Sequence, residues 1–250
     1  MIELIDVPAA PGIRTCFTTR AGGVSTGPWR GLNLGAATGD DPADVRENRR
    51  RLSAALGADP DSVALVRQVH GTDVLHVDVP TLPGGFTGAL VGWPDGDAMV
   101  TDQPGIALVV LGADCLPVLL WRRDIPRVAA AHAGWRGLVG GVLANAVAAL
   151  GEPGRIGAAL GPGIGPCCYP VDGALRRRFA ERFGPGAVDG DAVNLAAAAC
   201  ADLEAAGVSG DAIHHVGACT SCEPERFFSY RRDGAATGRQ GGVVMIEEAA

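Results

Sequence analysis

GADCLPVLLWRRDIPRVAAAHAGWRG, residues 112–137, decides how this chain folds. Two short apolar runs stand in it, PVLLW at 117–121 and RVAAAH at 127–132, each bounded by Gly, Pro or Asp. Runs of this kind predict strands. Cys115 precedes the first run and His132 ends the second, each beside small residues. Three readings of that pair stand open: a thiol nucleophile with its base, two ligands of a metal, or ordinary core residues.

Outward from this stretch the same grammar recurs. Strands are predicted at 14–19 (RTCFTT), 63–69 (VALVRQV), 73–79 (DVLHVDV), 97–101 (DAMVT), 106–112 (IALVVLG), 155–160 (RIGAAL), 213–216 and 243–246. Asp41 and Pro42 form an N-cap and first helical residue, opening a helix with Val45, Leu52 and Leu56 on one face. Further helical patterns cover 138–150, 173–183 and 195–206, and the Gly- and Pro-rich stretch 81–96 reads as a surface loop. Helices come in blocks instead of alternating strictly with strands, and no linker or repeat divides the chain. The expectation is one α+β domain over residues 1–250.

Composition narrows the function. A net charge of −7 argues against a general affinity for nucleic acid or acidic membranes. No apolar run reaches the ~18 residues of a membrane span, and the N-terminus has no basic-then-apolar leader pattern, so a cytoplasmic protein is expected. All 21 basic residues are arginine. A Schiff-base lysine, a Walker lysine and a lysine general base are thereby excluded, and anions fall to arginine or to backbone N–H groups. Seven cysteines, an odd count, read as free thiols or ligands before a disulfide framework.

His70 (VRQVHGTDV), Cys115 and His132 each lie at a predicted strand end beside small residues, where side chains can converge on a pocket. Two imidazoles and a thiolate suit zinc, leaving a fourth position for water or substrate. The same trio suits blue copper, but such sites add an axial methionine, and none of Met1, Met99 and Met245 is near Cys115 or His132 in sequence. A bare Cys–His dyad is the third option; residue types alone leave it and zinc both open. Cys167–Cys168 and the C-x-x-C at 219–222 form a weaker four-thiolate candidate, because adjacent residues rarely face one ion and no second C-x-x-C exists. GPGIGP (161–166) imitates a dinucleotide fingerprint, yet CCYP follows where a helix should begin. Arg46, Arg49, Arg50 and Arg51 read mostly as a solvated helix face, whereas Arg20 and Arg231, beside loops and aromatics, are the anion-binding candidates.

The segments FTTRAGGVSTGPWRGLNLG, GDDPADVRENRRRL, VRQVHGTDV, DAMVTDQPGIALVVLGADCLPVLL, AAAHAGWRGLVGG, LGPGIGPCCYPV and CTSCEPERFFSYRRDGAATGR run in order from 17 to 239. Together they resemble the YfiH family, also called the laccase-domain or multicopper polyphenol oxidase family; Cys222 is an extra thiol beside Cys219. The resemblance implies a single α+β domain with mixed sheets packed between helices, and zinc held by His70, Cys115 and His132. It implies phosphorolysis of adenosine, inosine, guanosine and methylthioadenosine, with adenosine deamination as a second activity. Under that reading Asp114 or Asp97 carries the proton, Arg20 and Arg231 hold phosphate, and Asn33 joins them at the substrate. Copper at the same ligands would account for the family's older polyphenol oxidase label. A multicopper centre nevertheless calls for ~10 histidines, and this chain has five. A nucleoside-binding protein with a structural metal is the remaining alternative.

Overall fold

The structure, a computed structural model, describes residues 1–79, 85–88 and 92–248, so the loop expected over 81–96 lies partly outside the described residues. In chain order the elements are β1 (Leu4–Val7), β2 (Ile13–Thr18), α1 (Pro42–Leu56), β3 (Val63–Ala64), β4 (Val74–His76) and β5 (Ala98–Thr101). There follow β6 (Ala107–Gly112), β7 (Leu116–Arg122), β8 (Val128–Ala133), α2 (Trp135–Gly140), α3 (Val142–Leu150) and β9 (Ile156–Leu160). The chain ends through α4 (Gly173–Phe183), β10 (Val188–Asp189), β11 (Ala192–Val193), α5 (Leu195–Ala205), β12 (Ile213–His215), α6 (Tyr230–Asp233) and β13 (Gln240–Ile246).

Two mixed sheets result, ordered β1-β2-β13-β6-β3 and β12-β9-β7-β8-β5-β4, with β10 and β11 as a separate pair. The alternation of side chains along each strand gives every sheet two faces. On β7, Leu119 and Trp121 point to the other sheet and meet Phe17, Leu108 and Val244. Their neighbours Leu116, Val118 and Leu120 point the opposite way, onto Leu138, Leu143 and Val147 of α2 and α3 and Leu203 of α5. The far face of the five-stranded sheet carries Cys16, Val109 and Val243 against Leu52 and Leu56 of α1. The layers are therefore helix, sheet, sheet, helix. With both faces covered, β7 and β8 need no polar alternation, which is why they read as continuous apolar runs. Burying each large aliphatic side chain here contributes roughly 1.5–3 kcal/mol. The Phe17 ring lies over Gly161 and Gly242, and a Cβ at either position would run into it.

Local chemistry sets the helix ends. Asp41 accepts the Ala43 N–H at 2.8 Å, Pro42 starts α1, and Gly57 closes it in the left-handed region at φ 68°. The single helix expected over 138–150 is instead two, because Gly141 at φ 96° ends α2 and starts α3. Of the strand expected over 63–69, Val63 and Ala64 join the sheet and Arg67 makes an isolated bridge with Asp95. Beyond it the Gln68 side chain takes over the ladder, accepting the Leu111 N–H at 2.8 Å and donating to the Leu111 carbonyl at 2.7 Å. That leaves the following backbone free to turn. Among the described residues, no helix is long and apolar enough to cross a membrane.

Candidate active site

β7 and β8 are antiparallel neighbours with Pro117 opposite His132, so Cys115, just before β7, reaches the same sheet end as His132. His70 arrives from the turn released after Gln68. Its backbone is left-handed, φ 61°, as is that of Asp114, φ 92°. Such conformations cost on the order of 1–3 kcal/mol and persist where the surroundings enforce them. At His70, Asp97, buried immediately before β5, does the enforcing. Its Oδ1 accepts the His70 N–H at 3.0 Å and the His132 Nδ1–H at 2.8 Å. Its Oδ2 accepts the N–H groups of Val69 at 3.1 Å and Gly71 at 2.6 Å. One carboxylate thus fixes a loop and orients a ring.

The three side chains close on one point. Cys115 Sγ is 3.9 Å from His70 Nε2, and the imidazoles of His70 and His132 meet edge-on with centroids 4.9 Å apart. One ligand atom of each lies within 4.8 Å of the others. A tetrahedral zinc places N and S ligands ~3.6 Å apart, so the trio needs only small adjustments to hold one. Gly134, in the HAGWRG segment, makes room: a Cβ there would sit 2.9 Å from Cys115 Sγ. Burial pushes the Cys115 thiol up, but the charge of His132, with bonds from His132 and His70, outweighs it and brings it down to about 6. Burial pushes His132 down, and the Cys115 thiolate with Asp97 overrides it, to about 9. The site therefore carries a thiolate at neutral pH, the form that binds metals. Burial alone would push the Asp97 carboxyl up; the bonds from His132, Gly71 and Val69 hold it below the usual carboxylate range.

The trio lines a cavity of about 870 Å³, the size of a small-molecule site. Asp114 lines it too, accepting from Thr220 Oγ1 at 2.7 Å and from the Arg231 N–H at 2.6 Å. The Arg231 guanidinium lies on the cavity wall with its carbon 4.8 Å from the Tyr169 ring centroid.

Other expected residues fall elsewhere. Asp97 is saturated by four donors and walled off, so it orients His132 and does not face the cavity. Arg20 does not line it: its guanidinium is spent on the carbonyls of Arg30 and Pro224 and stacks 4.4 Å over Phe228. Asn33 is buried behind the wall, where its Oδ1 accepts the N–H groups of Gly35 and Arg239, both at 2.9 Å. It positions the Arg239 segment instead of touching a ligand. Arg49, expected on a solvated face, is instead fully buried, on the cavity lining. It donates to the carbonyls of Leu34 and Phe86, between the rings of Phe86 and Trp93.

Several cavity residues escaped the sequence reading, among them Trp135, Arg136, Tyr169 and Arg239. Arg136 follows His132 in HAGWRG and lies 4.4 Å over Trp135, with no carboxylate partner among the described residues. Its nearness to His132 in sequence was the available signal; for Arg239, brought in from far along the chain, there was none. Cys167, Cys168, Cys219 and Cys222 also converge, despite the adjacency that argued against it.

Comparison with known proteins agrees with this fold. The family model described as multi-copper polyphenol oxidoreductase laccase matches residues 14–247. A purine nucleoside phosphorylase of Pseudomonas aeruginosa is 41% identical, over 97% of this chain and 97% of that protein. One of Deinococcus radiodurans is 43% identical, over 92% and 88% respectively. Among solved structures, YlmD from Geobacillus stearothermophilus superposes with a TM-score of 0.88 at 34% identity, covering 97% of this chain and 94% of that one. A Neisseria meningitidis protein does so at 0.85 and 38%, covering 99% of both. With its mixed sheets between helices and its match from end to end, the chain belongs to the YfiH, or laccase-domain, family.

Proposed function

We propose that this chain is a zinc-dependent purine nucleoside phosphorylase, acting on adenosine, inosine, guanosine and methylthioadenosine, with adenosine deamination as a second activity. The observation that carries the reading is the shared cavity: His70, Cys115 and His132 converge in the space that Arg136, Arg231 and Arg239 also line. The phosphorylase names of its relatives support it. His70, Cys115 and His132 would hold the zinc, and when bound it supplies Lewis-acid polarisation of a substrate oxygen or nitrogen.

The remaining work belongs to the chain. Guanidinium groups hold phosphate as planar, permanently charged forks; Arg231 and Arg136 take this role, with Arg231 fixed through its backbone by Asp114. The rings of Tyr169 and Trp135 give flat apolar surface for the purine. A phosphate oxygen bonds to C1′ of the ribose as the C1′–N bond breaks. The departing purine nitrogen takes the proton that phosphate gives up, and Asp114, the carboxylate lining the cavity among the described residues, relays it. In deamination, water adds to the purine carbon bearing the amino group and ammonia leaves, with Asp114 again moving the proton. A copper oxidase is less well supported. Only His70 and His132 of the five histidines share the site, while His76 lies on β4 and His214 and His215 on β12.

The test is the product balance from inosine. Hypoxanthine and ribose 1-phosphate formed in equal amounts, and only with phosphate present, are expected. Hypoxanthine with free ribose, indifferent to phosphate, would show hydrolysis instead.

A further inference from the structure

The four cysteines outside the cavity lie on two loops that the sheet brings side by side. β9 and β12 are parallel neighbours, and the segments leaving them stay zipped: the Thr220 N–H donates to the Gly163 carbonyl at 3.0 Å. A single 3-10 turn, Pro166–Cys168, folds the first loop back so that both of its cysteines face the second. Cys168 Sγ is 3.4 Å from Cys222 Sγ, and Cys167 Sγ is 3.5 Å from Cys222 Sγ and 3.6 Å from Cys219 Sγ. All four sulfurs lie within 4.8 Å of one another. Two disulfides, Cys167–Cys219 and Cys168–Cys222, would also use all four sulfurs, but Cys167 Sγ is as near to Cys222 Sγ as to Cys219 Sγ, a sharing that separate pairs do not require and a common ion does. A tetrahedral ion with Zn–S bonds of ~2.3 Å sets its sulfurs ~3.8 Å apart, and here three of the separations are 3.4–3.6 Å and the rest lie within 4.8 Å, so small adjustments would close the four on one ion.

The surroundings fit a thiolate cage. The Gly165 N–H donates to Cys219 Sγ at 3.2 Å, a bond that stabilises a ligand sulfur and fixes its direction. Glycine at 165 leaves the sulfurs room, since a Cβ there would sit 3.2 Å from Cys167 Sγ.

We propose that Cys167, Cys168, Cys219 and Cys222 form a second metal site, a closed four-thiolate centre for zinc. The thiols release their protons to solvent as the ion binds. Four protein ligands leave no open position, so this ion is structural. It ties the loop that carries Tyr169 to the loop whose Thr220 hydroxyl donates to Asp114, and so steadies one wall of the cavity. The proposal does not depend on the reaction performed there.

Zinc content and the zinc X-ray absorption spectrum of the full chain, purified under reducing conditions and loaded with zinc, test it. In Cys115→Ala, which removes the cavity ligand and leaves the four thiols intact, one zinc per chain with an all-sulfur shell at ~2.3 Å is expected. Cys219→Ser/Cys222→Ser should lose that sulfur-only ion. An all-sulfur shell missing from Cys115→Ala, or a disulfide among the four cysteines in its place, overturns the proposal. If the double variant does not fold, the Cys115→Ala spectrum decides alone.

Discussion

Replacing Asp97 by Asn keeps the shape of the side chain that organises the site and removes its charge. Each carboxylate oxygen accepts two donors, Oδ1 from His70 N–H and His132 Nδ1, Oδ2 from Val69 and Gly71 N–H. Whichever way the Asn amide faces, two of the four donors meet an NH₂ group instead of an acceptor. A buried donor left unsatisfied costs about 1–3 kcal/mol, and the part-buried N–H groups of the 69–71 turn cost less. Removing one member of a buried charged pair costs about 3–5 kcal/mol, so the two estimates meet at a loss of roughly 3 kcal/mol. The same change loosens the left-handed turn at His70 and the ring of His132. Partners that orient metal-binding histidines contribute on the order of 10–100-fold in affinity. Urea unfolding and a zinc competition titration against a chromophoric chelator read both effects. An Asp97→Asn protein with an unchanged unfolding midpoint and wild-type zinc affinity would contradict this role for Asp97.

Two further outcomes follow from other residues. Arg231→Ala should raise KM for phosphate well above its effect on KM for inosine, because the guanidinium serves the anion; equal rises in the two would contradict that role. Asp202 is buried, with Oδ1 bonded to Arg182 at 2.8 Å and Oδ2 without a partner among the described residues. Burial, only partly offset by Arg182, pushes its carboxyl above the ordinary 3.8. A raised folded-state value means that its contribution is present below about 3.8 and is lost as pH rises through that higher value. Asp202→Asn should therefore gain on the wild type as pH climbs from 3.8 toward neutrality, measured by urea unfolding at each pH. A difference constant with pH would contradict the assignment.

The strands of the sandwich were legible because both faces of β7 and β8 are covered, so burial writes itself as uninterrupted apolar runs. The convergence of His70, Cys115 and His132 was legible for a related reason: strand ends flanked by glycine and alanine are where side chains can meet. What the sequence hid was long-range or depended on backbone geometry. Arg20 sits beside a glycine-rich loop as an anion ligand would, but carbonyls 10 and 204 residues away take its donors. Arg49 has the helical spacing of its exposed neighbours, and only the aromatic clamp of Phe86 and Trp93 explains its burial. Cys167 and Cys168 can share one target because a 3-10 turn lies under them, and no local pattern announces that turn's direction. Asp97 was singled out as a proton carrier, and its four donors come from residues 26 to 35 positions away. They make it a positioning residue instead.

Phosphorolysis at the His70–Cys115–His132 centre is the proposal on which the other roles depend. Metal-stripped protein reconstituted separately with zinc and with copper, and supplied with inosine and phosphate, tests it most directly when ribose 1-phosphate is followed by phosphorus NMR and phenol oxidation by absorbance. Ribose 1-phosphate should form with zinc, vanish in the metal-stripped sample and in His132→Ala, and appear without any phenol oxidation. Fast phenol oxidation at stoichiometric copper, with no ribose 1-phosphate under zinc, would contradict it.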